Sequence, residues 1–358
     1  MRIAVNALYL LPGGVGGTEI YLRSLVAALD ELGADITVIT NRETGPLGRN
    51  PVVAPVAAKN RPARICFEQF WLPRWLKGAD VLLNAGFTAP AAAGLPQVTV
   101  FHDLQHKRHP ENFRWFDLPA WRLLLWAAAR RSERLIAVSG AVRDDLLRFY
   151  PFLARERIDV IPHGVDERFF ELRKWRAPGD FVLCPSTTHP HKNHPALLRA
   201  FAAVRREEPG LRLVLTGVRG FAQAEAEAAL RKLALEGAVQ MRGWLPREEL
   251  YELFRTARAL AYPSRFEGFG MPVAEALAAG VPVACSDIEP LRWIAGGAAE
   301  LFAPDDEAGM AEAIRRALRA PAPPAPEHLR WRRTAELTLE SLEMALLHAQ
   351  RSRPRSPK

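Results

Sequence analysis

The sequence predicts an α/β protein built from two doubly wound, Rossmann-like parallel-sheet domains. Short apolar runs of strand length alternate with amphipathic segments of helix length from one end of the chain to the other. The apolar runs lack polar alternation, which indicates parallel sheets that are covered on both faces. The second half of the chain repeats the plan of the first, so we expect two domains of similar architecture.

The elements follow this pattern in order along the chain. In the first half, strands are predicted at 3–5, 36–39, 81–83, 98–101, 135–138 and 158–161, and helices at 18–32 and 121–131. In the second half, strands are predicted at 181–184, 211–215, 239–241, 259–262 and 283–285, and helices at 197–206, 222–235 and 248–256. Ligands of such sheets bind outside the carboxyl ends of the strands.

The domain boundaries follow from length and from breaks in the pattern. At 358 residues the chain exceeds a usual single core. A break that contains Pro162 and Gly164 follows the last strand of the first half, and a Pro-rich stretch at 320–326 ends the second half. The predicted parts are a first domain at 1–162 with a returning C-terminal helix at about 329–350, a second domain at 166–320, and a disordered tail at 351–358.

Composition indicates a globular protein, with 49% hydrophobic and 25% charged residues. No apolar segment reaches the roughly 18 residues that a membrane span needs. The apolar start of the chain predicts a strand rather than a signal peptide, because Asn6 interrupts it. Cys66, Cys184 and Cys285 lack metal-binding or redox spacing, so we expect reduced, buried thiols, no metal site and a cytoplasmic protein.

The net charge of +8 could serve an anionic acceptor or a membrane surface, but an arginine-rich genome is the favoured explanation. The basic residues show no clustered patch with interleaved aromatic residues, so no nucleic acid partner is expected. Aromatic segments at 71–77 and 114–116 could insert at a lipid surface, and location at the inner face of the membrane is one alternative. Packing of these aromatic residues in the core is the favoured prediction.

The most informative stretch is 264–275, which places Glu267 and Glu275 eight positions apart around a glycine-rich turn. A strand precedes it, and Pro272 suits the first turn of a helix that follows. Such a helix start directs N–H groups and a partial positive charge at a ligand, while carboxylates accept hydrogen bonds from sugar hydroxyls. A ligand with phosphate and polyol parts is therefore expected. For either glutamate alone, the preference of acids for helix starts is an alternative explanation.

A second glycine-rich loop, at 13–17, joins the first strand to the first helix. Its amides could approach a phosphate. A dinucleotide fingerprint is the competing interpretation, but Glu19 stands where its third glycine should be, and Asn41 ends the second strand without a ribose-binding acid. A nicotinamide dehydrogenase is therefore disfavoured.

Taken together, these residues resemble a family-4 glycosyltransferase of the GT-B architecture, similar to mannosyltransferases. The strongest block is YPSRFEGFGMPVAEALAAGVPV at 262–283. Weaker blocks, in the expected order, lie at 13–19, 101–103, 137–139, 161–166 and 191–193. The resemblance covers nearly the whole chain. It implies two Rossmann-like domains facing a cleft, and a retaining, metal-independent transfer of sugar from a nucleotide-sugar to a glycan or lipid-linked acceptor in cell-envelope polysaccharide biosynthesis.

The resemblance also implies residue roles. His102 would contact the donor sugar or leaving phosphate, Lys192 would neutralise the leaving diphosphate, and Glu267 would meet the transferred sugar. Glu275 is expected on the ribose hydroxyls. The implied donor-binding residues are Gly16, Gly17, Ser186, Thr187, Gly243, Trp244, Gly268, Phe269, Gly270 and Glu275. No cofactor is expected besides the nucleotide-sugar as co-substrate.

Several alternatives stay open. The family often has arginine at the position of Ser186, so the usual two-cation clamp is in doubt. The hydroxyls of Ser186, Thr187 and Thr188, or the imidazoles of His189 and His191, could compensate through neutral hydrogen bonds. A nucleotide-sugar epimerase or a non-catalytic nucleotide-sugar-binding protein could share this architecture. Without the resemblance, His102 would be a structural histidine and Lys192 a surface lysine. GDP-, UDP- and ADP-linked donors are all candidates, with GDP-mannose preferred.

Overall fold

A computed structural model describes residues 1–13 and 16–352 of the chain, and these residues form two compact units. Unit 1 comprises Met1–Gly164 together with the residues from Arg330 onward, and unit 2 comprises Val165–Leu329. Each unit is built around one sheet, and within both sheets all pairings between neighbouring described strands are parallel.

Unit 1 contains a seven-stranded sheet in the order β3-β2-β1-β4-β5-β6-β7. Its strands are β1 (Arg2–Asn6), β2 (Asp35–Thr40), β3 (Pro51–Val53), β4 (Val81–Asn84), β5 (Gln97–Phe101), β6 (Arg134–Ala137) and β7 (Ile158–Val160). Its first helices are α1 (Gly17–Glu31), α2 (Arg61–Cys66), α3 (Leu72–Trp75), α4 (Gln105–Arg108), α5 (Leu118–Arg131) and α6 (Gly140–Phe149), with a π-helical turn at Phe67–Trp71.

Unit 2 contains a six-stranded sheet in the order β10-β9-β8-β11-β12-β13. Its strands are β8 (Phe181–Pro185), β9 (Arg212–Thr216), β10 (Val239–Met241), β11 (Ala259–Tyr262), β12 (Val283–Ser286) and β13 (Glu300–Phe302). Its helices are α7 (Glu167–Leu172), α8 (His194–Arg205), α9 (Gln223–Lys232), α10 (Arg247–Thr256), α11 (Met271–Ala278), α12 (Glu289–Ala295) and α13 (Glu307–Arg319). The last helix of the chain, α14 (Trp331–Ser352), belongs to unit 1 and packs against α1 and strands β4 to β6.

The predicted fold class is confirmed, because both sheets are parallel and carry helical connections between their strands. The strands that were not predicted are β3 and β13, and the helices that were not predicted are α2, α3, α4, α6, α7, α12 and α13. Two helices also begin earlier in the structure than the sequence predicted, and proline occupies the first turn of both. The helix predicted at 121–131 begins at Leu118 with Pro119, and the one predicted at 197–206 begins at His194 with Pro195. Proline is favoured at that position because its missing N–H has no intrahelical partner there.

Unit 2 extends to Leu329, beyond the predicted end of the second domain at 320, and includes the Pro-rich stretch at 320–326. The guanidinium of Arg173 donates to the carbonyl of Pro323, and the N–H of Val165 donates to the carbonyl of Leu329 at 2.7 Å. The stretch is therefore held within unit 2 as far as Leu329. Helix α14 continues through Ser352, and the rest of the tail, 353–358, lies outside the described residues.

Several side chains that were predicted to pack in the core are exposed. Trp71 and Trp115 are 51% and 82% exposed, and Phe116 is 56% exposed. Cys184 and Cys285 are buried as expected, but Cys66 is exposed at the end of α2. The three cysteines are free thiols.

Candidate active site

The strand order of unit 2 changes direction between β8 and β11, and the loops after these two strands form the candidate site. The two strands are parallel neighbours, so their carboxyl ends lie at the same edge of the sheet, where α/β proteins bind ligands. The loop after β8 carries Lys192, and the loop after β11 carries Glu267. The N–H of Arg265 donates to the carbonyl of His191 at 2.7 Å and ties the two loops together.

Lys192 and Glu267 meet directly at this edge. The Nζ of Lys192 donates to Oε1 of Glu267 at 2.5 Å and to the hydroxyl of Tyr262, the last residue of β11, at 2.9 Å. The two charged side chains are 15% and 11% exposed. Because an ammonium has three N–H donors, these two contacts leave one donor for a phosphate oxygen of a ligand.

Glu267 is held as a carboxylate. Burial alone would raise its pKa, but the charge of Lys192 and hydrogen bonds from Lys192, Ser264 and Tyr262 bring the pKa below its usual value. Burial, together with the charge of Glu267, raises the pKa of Tyr262 well above its usual value. The site therefore combines one ammonium, one carboxylate and one neutral phenol at neutral pH.

Helix α11 begins at this site, and its start depends on a glycine. Gly270 precedes the helix with a φ of +115°, a conformation that side chains rarely allow. A Cβ at this position would lie 2.3 Å from Cδ2 of Leu291 on α12. The Gly268–Gly270 turn therefore leads straight into the first turn of α11, whose amides and dipole favour an anion at that edge.

Glu275 lies one turn into α11 and is only 5% exposed. Its Oε1 is 3.9 Å from Nη1 of Arg247 on α10. Arg247 is positioned in turn by Asp166, at 3.2 Å, and by the Tyr251 hydroxyl, which accepts from its Nε at 2.9 Å. Burial raises the pKa of Glu275 to about 7; Arg247 lowers it and Asp166 raises it further.

The hydroxyls that were expected to compensate for the absent arginine are largely committed within unit 2. The Oγ of Ser186 is 3.1 Å from Nε2 of His194, and both residues are buried. The hydroxyl of Thr188 donates to Gln223 at 2.7 Å and accepts from the N–H of Gly220 at 2.8 Å. Thr187, which lies between these two residues, is half-buried.

Gly243 and Trp244 follow β10 on the same edge of the sheet. Gly243 has a φ of +70°, and its carbonyl accepts from the N–H of Gly217 at 2.7 Å. Trp244 is 66% exposed. A polar cavity of about 480 Å³ lies beside them, and its lining includes Ser186, Thr188, Thr216, Gly217, Arg219 and Gly243.

In unit 1, His102 follows β5 and is buried, and both of its ring nitrogens have protein partners. Nε2 is 2.9 Å from the carbonyl of Ala85, so it is the donor, and Nδ1 is 3.3 Å from Nε2 of His163. Tyr21 packs edge-on against the imidazole, with the ring centroids 4.7 Å apart. Burial lowers the pKa of His102 to about 4, which keeps the ring neutral.

The glycine loop after β1 is described only in part, because Gly14 and Val15 lie outside the described residues. Gly16 caps α1 with a φ of +57°, and Gly17 is the first helical residue. The carboxylate of Glu19 accepts from the N–H of Gly13 at 2.8 Å. One amide of the loop is therefore already bonded to an anionic side chain.

The structure thus brings together Lys192, Glu267 and the start of α11. It also adds residues that sequence reasoning missed, namely Tyr262, Arg247 and Asp166 beside the two glutamates and His163 beside His102. Tyr262 could have been noticed as the last strand residue before the glycine-rich turn. Arg247 carried no signal of its own, because its contact with Glu275 depends on how α10 lies beside α11.

The described residues contain no cluster of three or more His, Cys, Asp or Glu side chains placed to hold a metal ion. Likewise, no helix within the described part of the chain combines the length and the hydrophobicity that are required to cross a membrane.

Comparison with known proteins identifies the class of protein as the glycosyltransferases. The model of Glycosyltransferase Family 4 matches residues 15–169, and that of Glycosyl transferases group 1 matches residues 166–337. This chain belongs to the family-4 glycosyltransferases, as its motifs predicted.

Two curated relatives are mannosyltransferases by name. The O-antigen chain mannosyltransferase B of Escherichia coli is 28% identical to this chain over 62% of this chain's length. The matched part of this chain spans 61% of the length of that protein. The MMP alpha-(1→4)-mannosyltransferase of Mycolicibacterium hassiacum is 27% identical over 90% of each chain.

Solved structures share the fold. WaaG, a glycosyltransferase involved in lipopolysaccharide biosynthesis, superposes with a TM-score of 0.65 at 18% identity, over 98% of each chain. Anabaena HepE in complex with UDP-glucose superposes with a TM-score of 0.65 at 18% identity, over 98% of this chain and 99% of that one. The GT-B architecture of two parallel-sheet domains is therefore confirmed.

Proposed function

We propose that this glycosyltransferase moves a sugar from a nucleotide-sugar to a glycan or lipid-linked acceptor, with retention at the anomeric carbon and without a metal ion. The observation that carries the proposal is the contact of Lys192, Glu267 and Tyr262 at the β8–β11 edge, next to the start of α11. Mannose from GDP-mannose is the first candidate donor, because two relatives are mannosyltransferases by name.

In the proposed reaction, the bond between C1 of the sugar and the diphosphate oxygen breaks first. Lys192 and the amides at the start of α11 stabilise the negative charge that develops on the leaving diphosphate. The acceptor hydroxyl then forms its bond to C1 on the same face, and its proton passes to an oxygen of the diphosphate. Glu267 accepts hydrogen bonds from Lys192 and Tyr262, which favours a positioning role over nucleophilic attack on C1.

Glu275 is proposed to accept hydrogen bonds from the ribose hydroxyls as a carboxylate. Because burial raises its pKa to about 7, the ionised form is lost as the pH falls through that value. We therefore expect the affinity for a nucleoside diphosphate to fall by up to tenfold per pH unit below 7. Glu275→Gln should weaken binding at pH 8 by about tenfold to a hundredfold, since hydrogen bonds to charged groups contribute about 1.5–3 kcal/mol.

Titration calorimetry between pH 5.5 and 8.5 measures this effect, and the profile of Glu275→Gln should retain only the pH dependence that the ligand's own terminal phosphate contributes, whose second pKa is about 6. The matched control is Glu312→Gln on α13, whose exposed side chain lies outside the site and should leave the profile unchanged. Equal affinity of wild type and Glu275→Gln at pH 8 would remove the ribose contact from the proposal.

A thermal-shift screen of GDP, UDP and ADP tests the function as a whole. A nucleotide that binds only the folded state adds about 2.7 kcal/mol to the free energy of unfolding at a hundredfold excess over Kd. It therefore raises the melting temperature. We expect a diphosphate to raise it more than the matching monophosphate. If all three diphosphates leave the melting temperature unchanged, the proposed donor site is wrong. Incubation with the nucleotide-sugar alone should yield no epimerised sugar.

A cytoplasmic location is part of the proposal, because free thiols persist in reducing compartments. Work at the inner face of a membrane is also proposed, since a lipid-linked acceptor would be presented there.

A further inference from the structure

Arg64 on α2 is a buried arginine whose guanidinium has no protein partner. The residue is 7% exposed, and its Nε is shielded from solvent without an acceptor. Among the residues that the structure describes, none forms a hydrogen bond or a salt bridge with this guanidinium. Arg315 on α13 also has an unpartnered Nε, but its terminal nitrogens form a salt bridge with Glu207 at 2.8 Å. An unpaired buried donor destabilises the folded state, which favours a ligand-binding role for Arg64.

The neighbours of Arg64 lie at the carboxyl ends of β1 and β4. Glu68 and Tyr9 both interact electrostatically with its guanidinium. Glu68 accepts a hydrogen bond from Asn6, the last residue of β1. The hydroxyl of Tyr9 lies 3.3 Å from the carbonyl oxygen of Ala85, the first residue after β4. The strand order of unit 1 changes direction between β1 and β4, and ligands of α/β sheets bind at such a point.

The carboxylate of Glu68 is held by three other donors and forms no salt bridge with Arg64. Its Oε2 accepts from the side chains of Asn6 at 3.3 Å and Thr88 at 2.9 Å, and its Oε1 accepts from Gln69 at 3.2 Å. The guanidinium therefore keeps a planar set of five N–H donors, which matches the paired oxygens of a phosphate or a carboxylate.

The loop after β4 joins these residues to His102. The carbonyl of Ala85 accepts from Nε2 of His102 at 2.9 Å, and Phe87 packs edge-on against that imidazole, with the ring centroids 5.1 Å apart. Phe87 has a φ of +69°, a strained conformation for a residue other than glycine, and such residues cluster at functional sites. The next residue, Thr88, donates to Glu68. One short loop therefore connects the buried guanidinium to the histidine for which the family resemblance implies a contact with the donor.

We propose that Arg64 binds a phosphate or carboxylate group of the acceptor, so that this glycosyltransferase selects acidic acceptors over neutral ones. A neutral acceptor would leave the buried guanidinium without a counter-ion, whereas an oxyanion would neutralise it and accept from its donors. This anion site lies in unit 1, and the proposed site for the donor diphosphate lies in unit 2. Only the ligand's role as acceptor rests on the proposed sugar transfer.

Titration calorimetry with inorganic phosphate tests the anion site. Lys192→Ala/Glu267→Gln serves as the parent protein, because it lacks the ion pair of the proposed donor site, and it should still bind phosphate. Adding Arg64→Gln should weaken that binding about tenfold to a hundredfold, the loss expected for hydrogen bonds to a charged group. Adding Arg64→Lys keeps the buried charge, which guards against a variant that does not fold, and should give an affinity between the two.

The matched control is Arg61→Gln, because Arg61 is exposed on the same helix and its loss should leave phosphate binding unchanged. Equal phosphate affinity with and without Arg64→Gln would overturn the proposal, and so would a parent protein that does not bind phosphate.

Mannose 6-phosphate, glucuronate and octyl phosphate distinguish a phosphorylated sugar, a uronic acid and a lipid carrier as the source of the anion. At least one of them should bind wild type more tightly than mannose does, and Arg64→Gln should remove that preference. Equal binding of mannose and all three anions would overturn the proposed selection.

The outcome is separable from that of the proposed function. Nucleoside diphosphates should raise the melting temperature of Arg64→Gln as much as that of wild type, because their proposed site is in unit 2. If phosphate binds through Arg64 and no nucleoside diphosphate binds, the proposed function is wrong and the anion site stands. If nucleoside diphosphates bind and phosphate does not bind through Arg64, the anion site is wrong and the proposed function stands.

Discussion

Lys192→Ala is expected to lower kcat by a factor of about 10²–10³, the size of effect seen when one group that stabilises developing charge is removed. In this protein the ammonium sits between Glu267 and Tyr262, with one N–H left for the leaving diphosphate. The substitution removes a charge that matters most as the bond to C1 breaks, so kcat should fall more than KM rises. Initial rates measure this, with a nucleotide-sugar that carries the nucleotide identified by the thermal-shift screen.

The loss of turnover must be separated from a loss of folding. Lys192→Ala leaves a largely buried carboxylate without its cation, which costs about 3–5 kcal/mol of unfolding free energy. Lys192→Ala/Glu267→Gln removes that charge as well, so its melting temperature should lie above that of the single variant while turnover stays low. Lys232→Ala, at the end of α9, controls for the general effect of losing a lysine. Turnover of Lys192→Ala within about threefold of wild type would contradict the proposed role.

Gly270→Ala is expected to destabilise unit 2 by about 2–4 kcal/mol and to weaken nucleotide binding. One part of the cost is the backbone, since a φ of +115° costs a side-chain-bearing residue about 1–3 kcal/mol. The other part is steric, because the new Cβ would lie 2.3 Å from Leu291, and overpacking costs about 1–3 kcal/mol. Chemical unfolding followed by circular dichroism measures the sum.

Gly297→Ala separates the two parts. Gly297 also has a positive φ, of +87°, but a Cβ there would meet nothing within 4 Å, so only the backbone cost should appear. Gly270→Ala/Leu291→Ala should recover part of the steric cost, offset by the loss of a buried leucine. Equal destabilisation by Gly270→Ala and Gly297→Ala would show that the contact with α12 does not restrict the start of α11.

The sequence predicted the fold class well because the central strands are continuous apolar runs alternating with helical segments, as expected for parallel sheets that are covered on both faces. The missed strands β3 and β13 are three residues long and lie at sheet edges, but β7 and β10 share both properties and were predicted, so length and position alone do not explain the omission. The missed helices α6 and α13 begin after Ser139 and Asp306, whose side chains accept from backbone N–H groups of the first turn. Those capping signals were present in the sequence.

The sequence predicted those residues of the candidate site that belong to one motif. Glu267, Gly270 and Glu275 follow from the stretch at 264–275, and Lys192 came from the family resemblance. Their mutual contacts were not predictable, because they depend on β8 and β11 being neighbours in the sheet. The exposure of Trp126 was equally hidden, since α5 also carries exposed Leu123 besides its buried apolar residues and so shows no single amphipathic pattern.

A crystal structure of the protein with a bound nucleoside diphosphate tests the central claim most directly. The account predicts the diphosphate at the carboxyl edge of β8 and β11, with a phosphate oxygen within hydrogen-bond distance of Lys192 Nζ and of the first amides of α11, and with the ribose hydroxyls on Glu275. A diphosphate bound elsewhere on unit 2, with the pair of Lys192 and Glu267 left untouched, would contradict it.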